Sequence, residues 1–214
     1  MPTATGRLKW DQTGQKKYEN GTDHGVLFNQ KASGKYKPGV PWNGLTGVTE
    51  SPDGAEPNDI YADNIKYASL RSAETYGGTI EAYTYPDEFA VCDGSITVRD
   101  GVTVGQQKRE SFGFSFRTNI GNDVSDDLGY KLHLVYSATA SPSDKGYETI
   151  NDSPDAITFS WEFDTIPIAI GKIGDVTYKP TAIIIIDSTK FTTTADKQLL
   201  SDFEDVLYGT EIGR

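Results

Sequence analysis

The sequence predicts a mainly β fold, a β-sandwich or open barrel of antiparallel strands with one short helix and one C-terminal helix. Three observations carry that expectation. Several segments alternate apolar and polar residues with period two, as strands with one buried face do. Clusters of Gly, Pro, Asp and Asn separate them. One stretch alone, near the C-terminal end, spaces its apolar residues as a helix does.

Taken in order, Thr79 to Tyr85 alternates Ile80, Ala82 and Thr84 with Glu81, Tyr83 and Tyr85. Pro86 to Ala90 reads as a short helix, with Pro at its first position and acids beside its N-terminus. Ser111 to Arg117 sets Phe112, Phe114 and Phe116 against Gly113, Ser115 and Arg117. Tyr130 to Tyr136 sets Tyr130, Leu132, Leu134 and Tyr136 against Lys131, His133 and Val135. In Ala156 to Asp164, Ile157, Phe159, Trp161 and Phe163 oppose Thr158, Ser160, Glu162 and Asp164. The four successive isoleucines within Thr181 to Asp187 imply a strand covered on both sides. Turns are expected at Asp53-Gly54, Asn119 to Asp127, Ser141 to Gly146 and Asn151 to Asp155. The C-terminal helix is expected over 195–208. Thr193 or Thr194 caps it, Leu199, Phe203, Val206 and Leu207 form its stripe, and Gly209 stops it.

With 214 residues, the chain can bury a substantial core, and nine Phe, twelve Tyr and three Trp offset an apolar content of 36%. No apolar run nears the roughly 18 residues of a membrane span; Ala182 to Ile186 is only strand-sized. MPTATGRLKW lacks a signal-peptide core, so synthesis in the cytosol is expected. A single cysteine, Cys92, excludes an internal disulfide and thiolate metal clusters.

Net charge is -11 but unevenly spread. Residues 1–38 hold seven Lys/Arg against three Asp/Glu, whereas 39–214 hold 13 against 28. The first segment reads as a basic arm with the first strand or strands, docking onto an acidic body, its own or a neighbour's. The second reads as a single β-sandwich domain. An acidic body repels phosphate, which argues against tight nucleic-acid binding and suits a surface along which DNA slides.

The search for chemistry assigns no catalytic, cofactor-binding or metal-ligating residue. His24 and His133 are far apart in sequence, and His133 reads as a surface or interface histidine on the less apolar face of its strand. Cys92 reads as a small buried hydrophobe. Gly113 to Arg117 lacks the second glycine of a nucleophile elbow, and Gly171 to Gly174 lacks the helices of an RNA-clamping loop. Glu162 and Asp164 share a strand face, as two glycosidase carboxylates could, and as any solvated strand does. Asn122, Asp123, Asp126 and Asp127 could offer oxygens to Ca²⁺ but lack the EF-hand spacing; a solvated turn is the plainer reading. Trp10, Trp42, Tyr61, Tyr67, Tyr83 and Tyr85 could form a sugar-binding platform or a subunit interface.

Beyond chemistry, the order of segments is informative. The block from Gly39 to Ser95 reads as strands joined by tight turns. With it come Gly25-Val26-Leu27-Phe28, Gly105-Gln106-Gln107, Gly129 to Tyr136, Asn151 to Pro154 leading into Trp161-Glu162, and Lys179 to Ala182. In that order the chain, from about Trp10 to Gly209, resembles the major tail proteins, or tail tube proteins, of long non-contractile-tailed bacteriophages.

The resemblance implies a tail-tube-protein fold, a β-sandwich with a flanking helix. It implies a structural virion protein rather than an enzyme, made in the host cytoplasm and built into stacked, hexameric rings. These form the tail tube, the conduit for double-stranded DNA, with long loops and terminal arms joining the rings. The implied partners are other copies of the chain, the tape measure protein in the lumen, tail terminator and distal tail proteins at the tube ends, and DNA passing without specific binding. Neither a cofactor nor a membrane is implied, and the immunoglobulin-like C-terminal domain of some relatives is expected to be absent. The alternative is a carbohydrate-binding β-sandwich module.

Overall fold

The computed structural model describes residues 7–54, 57–71, 74–150 and 155–210. Strands β1 (Tyr18–Asn29), β2 (Val40–Trp42), β3 (Leu45–Glu50), β4 (Asn58–Ala62), β5 (Ile65–Leu70) and β6 (Gly77–Ala82) precede a 3₁₀ turn at Asp87–Phe89. Then come β7 (Ile96–Arg99), β8 (Val102–Val104), β9 (Phe112–Gly121), β10 (Gly129–Ala140), β11 (Phe159–Thr165), β12 (Lys172–Ile173), β13 (Val176–Thr177) and β14 (Ile183–Asp187), followed by helix α1 (Thr194–Tyr208).

The main sheet runs β2-β1-β9-β10-β11-β6-β3, with β14 branching from β10, and every pairing in it is antiparallel. Its two path ends, β2 and β3, are separated by only Asn43 and Gly44. This corner carries the chain from pairing with β1 to pairing with β6, so the sheet curls round on itself. Gly44 makes the turn at φ 75°, in the left-handed region that glycine enters without cost. The Trp42 indole N–H donates to the Thr84 carbonyl at 2.9 Å, and the Tyr83 amide donates to the Gly44 carbonyl at 2.8 Å.

β10 bends between the two layers. Its register against β9 shifts between Val135 and Ala138, where Ser137 takes φ 48°. Before this bulge the other side of β10 pairs with β14; after it, with β11.

Inside the curl lie Trp161, Phe89, Phe112, Phe114, Leu27 and Ile80, all fully buried. Trp42 packs against Phe89, Phe114 and Trp161, with ring centroids 4.6, 5.4 and 5.6 Å apart. The short helix expected at Pro86 to Ala90 is a single 3₁₀ turn, and it drives Phe89 into this cluster.

The predicted Phe112/114/116 face is core, but the opposite face of β9 is buried too: Tyr36 lies over Gly113, and Ser115 is fully buried. The isoleucine run corrects the sequence expectation. Ile183, Ile184 and Ile186 are only half-buried and Ile185 is 50% exposed, so the run is not fully covered on both faces; among the described residues β14 also pairs along one edge alone, with β10. The helix boundaries hold to one residue, with Thr193 as N-cap and Gly209 as C-cap. Its buried stripe differs. Leu200 is buried, with Phe203 and Leu207 half-buried, while Leu199 and Val206 are 64% and 79% exposed.

Within 1–38, β1 pairs with both β9 and β2, and β2 lies beyond that segment, so the main sheet continues across residues 38 and 39. Three hairpins, β4–β5, β7–β8 and β12–β13, form separate two-stranded sheets outside the curl. The turn expected at Asn151 to Asp155 falls largely on 151–154, outside the described residues.

A Cβ at Gly78 would lie 2.3 Å from the Thr49 carbonyl and 2.9 Å from the Phe163 ring, so Gly78→Ala forces β3 away from β6. A cost of about 1–3 kcal/mol is expected in urea unfolding. Gly54→Ala, with open space around it, is expected to leave the midpoint unchanged.

Candidate functional site

The residues singled out for chemistry do not converge. His133 is buried, 7% exposed, not at the surface as its strand pattern suggested. Its partner positions explain this: it stands opposite Phe116 on the inner face and stacks on that ring at 4.5 Å. Glu50 lies 3.2 Å from Nδ1 and the Thr118 hydroxyl 3.2 Å from Nε2. Burial lowers the His133 pKa, and the opposing pull of Glu50 does not overcome it. Cys92 is buried 3.6 Å from the Asn29 amide nitrogen, and burial with the nearby Glu110 pushes its thiol up to about 12. A thiol so protonated is a packing group.

Ser115 is enclosed within β9 and cannot be a presented nucleophile. Gly171 precedes the β12–β13 hairpin and Gly174 lies in its turn. Glu162 and Asp164 stand on the outward face of β11, beside Thr79 and Gly77 of β6. The proposed aromatic platform is divided. Trp42 is core and Tyr85 packs against the core, whereas Tyr61 and Tyr67 lie on the β4–β5 hairpin.

One polar cluster escaped the sequence reading. Where β1 is irregular against β9, His24 adopts φ 50° and its Nδ1 lies 2.8 Å from Asp23. Arg117 donates to both Asp23 oxygens, at 3.0 and 3.4 Å, and its guanidinium lies 4.6 Å from the centre of the Tyr130 ring. Partial burial works against the Asp23 carboxylate, but the bonds from Arg117 and His24 prevail and lower its pKa. Tyr130 in turn donates to Glu204 of α1. The cluster pins the helix to the sheet beside a groove of about 570 Å³. The adjacent Asp23-His24 was the available signal; the long-range Arg117 was not.

The acidic loop is occupied by the chain itself. Asp123 accepts from the backbone amides of Gly14 and Lys16, at 3.0 and 3.4 Å, and Asn122 donates to the Gly14 carbonyl at 2.9 Å. The Asn122 side-chain oxygen caps the amides of Val124 and Ser125, and Tyr18 donates to Asp126 at 2.6 Å. Part of the basic segment therefore docks on an acidic loop of its own body, mainly through backbone amides.

Outside these clusters, an unpaired strand edge, an acidic strip and two exposed apolar hairpins stand out. Among the described residues no strand pairs with the far side of β14. On the outer surface of β3, β6 and β11, Glu81, Glu162 and Asp164 alternate with Thr and Ser. The β4–β5 hairpin exposes Tyr61 and Tyr67 at 68% and 72%, and β7–β8 exposes Val98 and Val102.

No family model matches the chain, nor does any curated protein. Among solved structures, it is similar to a chain of the six-fold symmetrised cryo-EM structure of the anti-feeding prophage baseplate. The TM-score is 0.37 and the identity 8%, over 84% of this chain and 97% of that one.

Asp123→Ala removes the acceptor that holds Gly14 and Lys16. Tryptic cleavage after Lys16 and Lys17 is expected to accelerate several-fold, with an unchanged melting temperature for the body. His133 gives a pH signature. Its folded pKa lies below the ordinary value of about 6.5, so the unfolded chain binds more protons there. Stability is full above that value and falls as pH drops through it towards the folded pKa. The urea midpoint is expected to decline from pH 7 to pH 5, and His133→Gln is expected to flatten that decline.

Proposed function

We propose that this chain is a structural protein of a phage virion, the tail tube subunit. It self-assembles into stacked, hexameric rings that form the conduit for double-stranded DNA. The observation that carries the reading is the open edge of β14, an apolar strand with one side unpaired. Such an edge is a template for another strand, and a soluble protein that keeps one uncovered carries an aggregation hazard unless a specific partner fills it. A neighbouring copy that supplies a different edge makes a heterologous contact, which closes into a ring if the rotation per subunit divides a circle.

The remaining surfaces fit this use. The strip of Glu81, Glu162 and Asp164 lies on strands away from the helix-covered face, and repels phosphate as a lumen wall should. In that role it passes DNA and houses the tape measure protein, while tail terminator and distal tail proteins close the ends. The subunit catalyses nothing on this reading and needs no cofactor. No helix among the described residues is long and apolar enough to cross a membrane. Of the six platform residues of the carbohydrate-binding alternative, Trp42 is in the core and Tyr85 is packed against it.

Negative-stain microscopy of the purified protein tests the proposal. Rings or tubes around a hollow centre are expected. Ile185→Lys, which places a charge on the half-exposed edge, is expected to leave folded single subunits. Discrete wild-type monomers at high concentration that bind a glycan array would defeat it.

A further inference from the structure

Helix α1 lies across the strands. Glu204 meets Tyr130 of β10, and one turn later Tyr208 meets His24 of β1, with ring centroids 6.1 Å apart. A helix with its side chains is about 10–12 Å wide, whereas the 12 residues of β10 make about 40 Å of strand. One helix therefore covers only part of this face. On the Tyr130 side the uncovered part is polar, with Arg117 and Asp23. On the other side it is an apolar groove of about 250 Å³, lined by Phe28, Tyr36, Leu134, Tyr136, Val206 and Leu207.

The groove is preformed and open. The Tyr36 hydroxyl accepts from the Ser137 amide at 3.0 Å, which holds its ring beside that of Tyr136, with centroids 6.4 Å apart. Val206 lines the groove and is still largely exposed. Leu199, equally open to solvent, stands two turns earlier on the same flank of α1, about 10 Å away along the axis. Anchors at i and i+7 of a docked helix have that same spacing. The volume takes one large side chain and is smaller than the roughly 300–1,000 Å³ of a small-molecule pocket. The two rims differ in charge. Exposed Asp202 and Asp205 stand on the α1 side, on a helix with four acids and one base, and Lys37 borders the far side.

We infer that this groove, with Leu199 and Val206 as its helical wall, is a docking site for a basic amphipathic helix of a second protein. The docked helix lies alongside α1 and seats one large apolar side chain in the groove. Its neighbours at helical spacing pack on Leu199 and Val206, and its Lys or Arg residues turn towards Asp202 and Asp205. The rim charges orient it, since only the α1 side is acidic. A second copy of α1 fits poorly, because pairing the two flanks sets Asp202 and Asp205 of one helix near those of the other. The site lies apart from the open edge of β14, so it adds a partner without using the surface that joins one copy to the next.

Fluorescence anisotropy on the full-length chain tests the site, at about 0.15 M salt so that distant charges are screened. The probe is a labelled peptide of about 18 residues, with leucines at i, i+4 and i+7 spacing and lysines between them. A scrambled peptide of the same composition controls for general attraction to a chain of net charge -11. The amphipathic peptide is expected to bind about tenfold more tightly than the scrambled one. Leu199→Ser with Val206→Ser, and separately Asp202→Lys with Asp205→Lys, are each expected to remove that advantage. All four side chains are exposed, so circular dichroism and the melting temperature are expected to stay unchanged. Equal binding of the two peptides, or an advantage that survives either pair of substitutions, would overturn the inference. So would a concentration-dependent dimer in sedimentation velocity that Leu199→Ser with Val206→Ser abolishes, because the occupant is then a second copy.

Discussion

Trp42 occupies the point on which the rest of the fold depends. It lies on β2, on the last residue before the corner that folds the sheet back on itself, and its ring touches Phe89, Phe114 and Trp161. These come from the 3₁₀ turn, from β9 and from β11, so one side chain ties together segments far apart in sequence. Its indole N–H meets the Thr84 carbonyl and satisfies a polar group that would otherwise be costly to bury. Edge-to-face aromatic pairs of this kind add about 0.5–1.5 kcal/mol each beyond the area they bury. With no disulfide available, packing of this cluster helps hold the curled sheet closed.

A core so placed determines what is left over. The curl satisfies β1, β6, β9 and most of β10 and β11 on both sides, and among the described residues it leaves unpaired backbone on β14 and on the path ends β2 and β3. The helix covers one outer face through Leu200, Phe203 and Leu207, with the Asp23, Arg117, Tyr130 and Glu204 chain as its polar fastening. The opposite outer face keeps Glu81, Glu162 and Asp164 in solvent. Three kinds of surface, an open edge, a covered face and an acidic face, thus follow from one closure.

Strand alternation was legible wherever a strand has a single buried face. Trp161 and Phe163 turn inward and Glu162 and Asp164 outward, as period two requires. It failed where burial depends on distant segments. His133 looked polar-facing because its neighbours Lys131 and Val135 leave its side ambiguous, yet the Phe116 ring across the ladder makes that side interior. The isoleucines of β14 looked doubly covered because local hydrophobicity cannot reveal how much of each face other segments reach, and Ile185 is left half exposed. For the helix the periodicity was right and the phase was off: Leu199 and Val206 fit the same repeat as Leu200 and Leu207, and only the sheet beneath chooses between them. Of the candidate surfaces, the acid content of the body was visible in composition, whereas the strip on β6 and β11 needed the register.

The docking of the basic segment illustrates how charge reading can be right in outcome and incomplete in cause. The basic segment suggested attraction to an acidic body, its own or a neighbour's, and residues 14–18 lie on Asn122, Asp123 and Asp126 of the same chain. The bonds that hold it come instead from the backbone amides of Gly14 and Lys16 and from the Tyr18 hydroxyl, with the lysine charge adding only a screened, exposed pull. Backbone amides converging on a carboxylate fix position, whereas lysine side chains mainly attract.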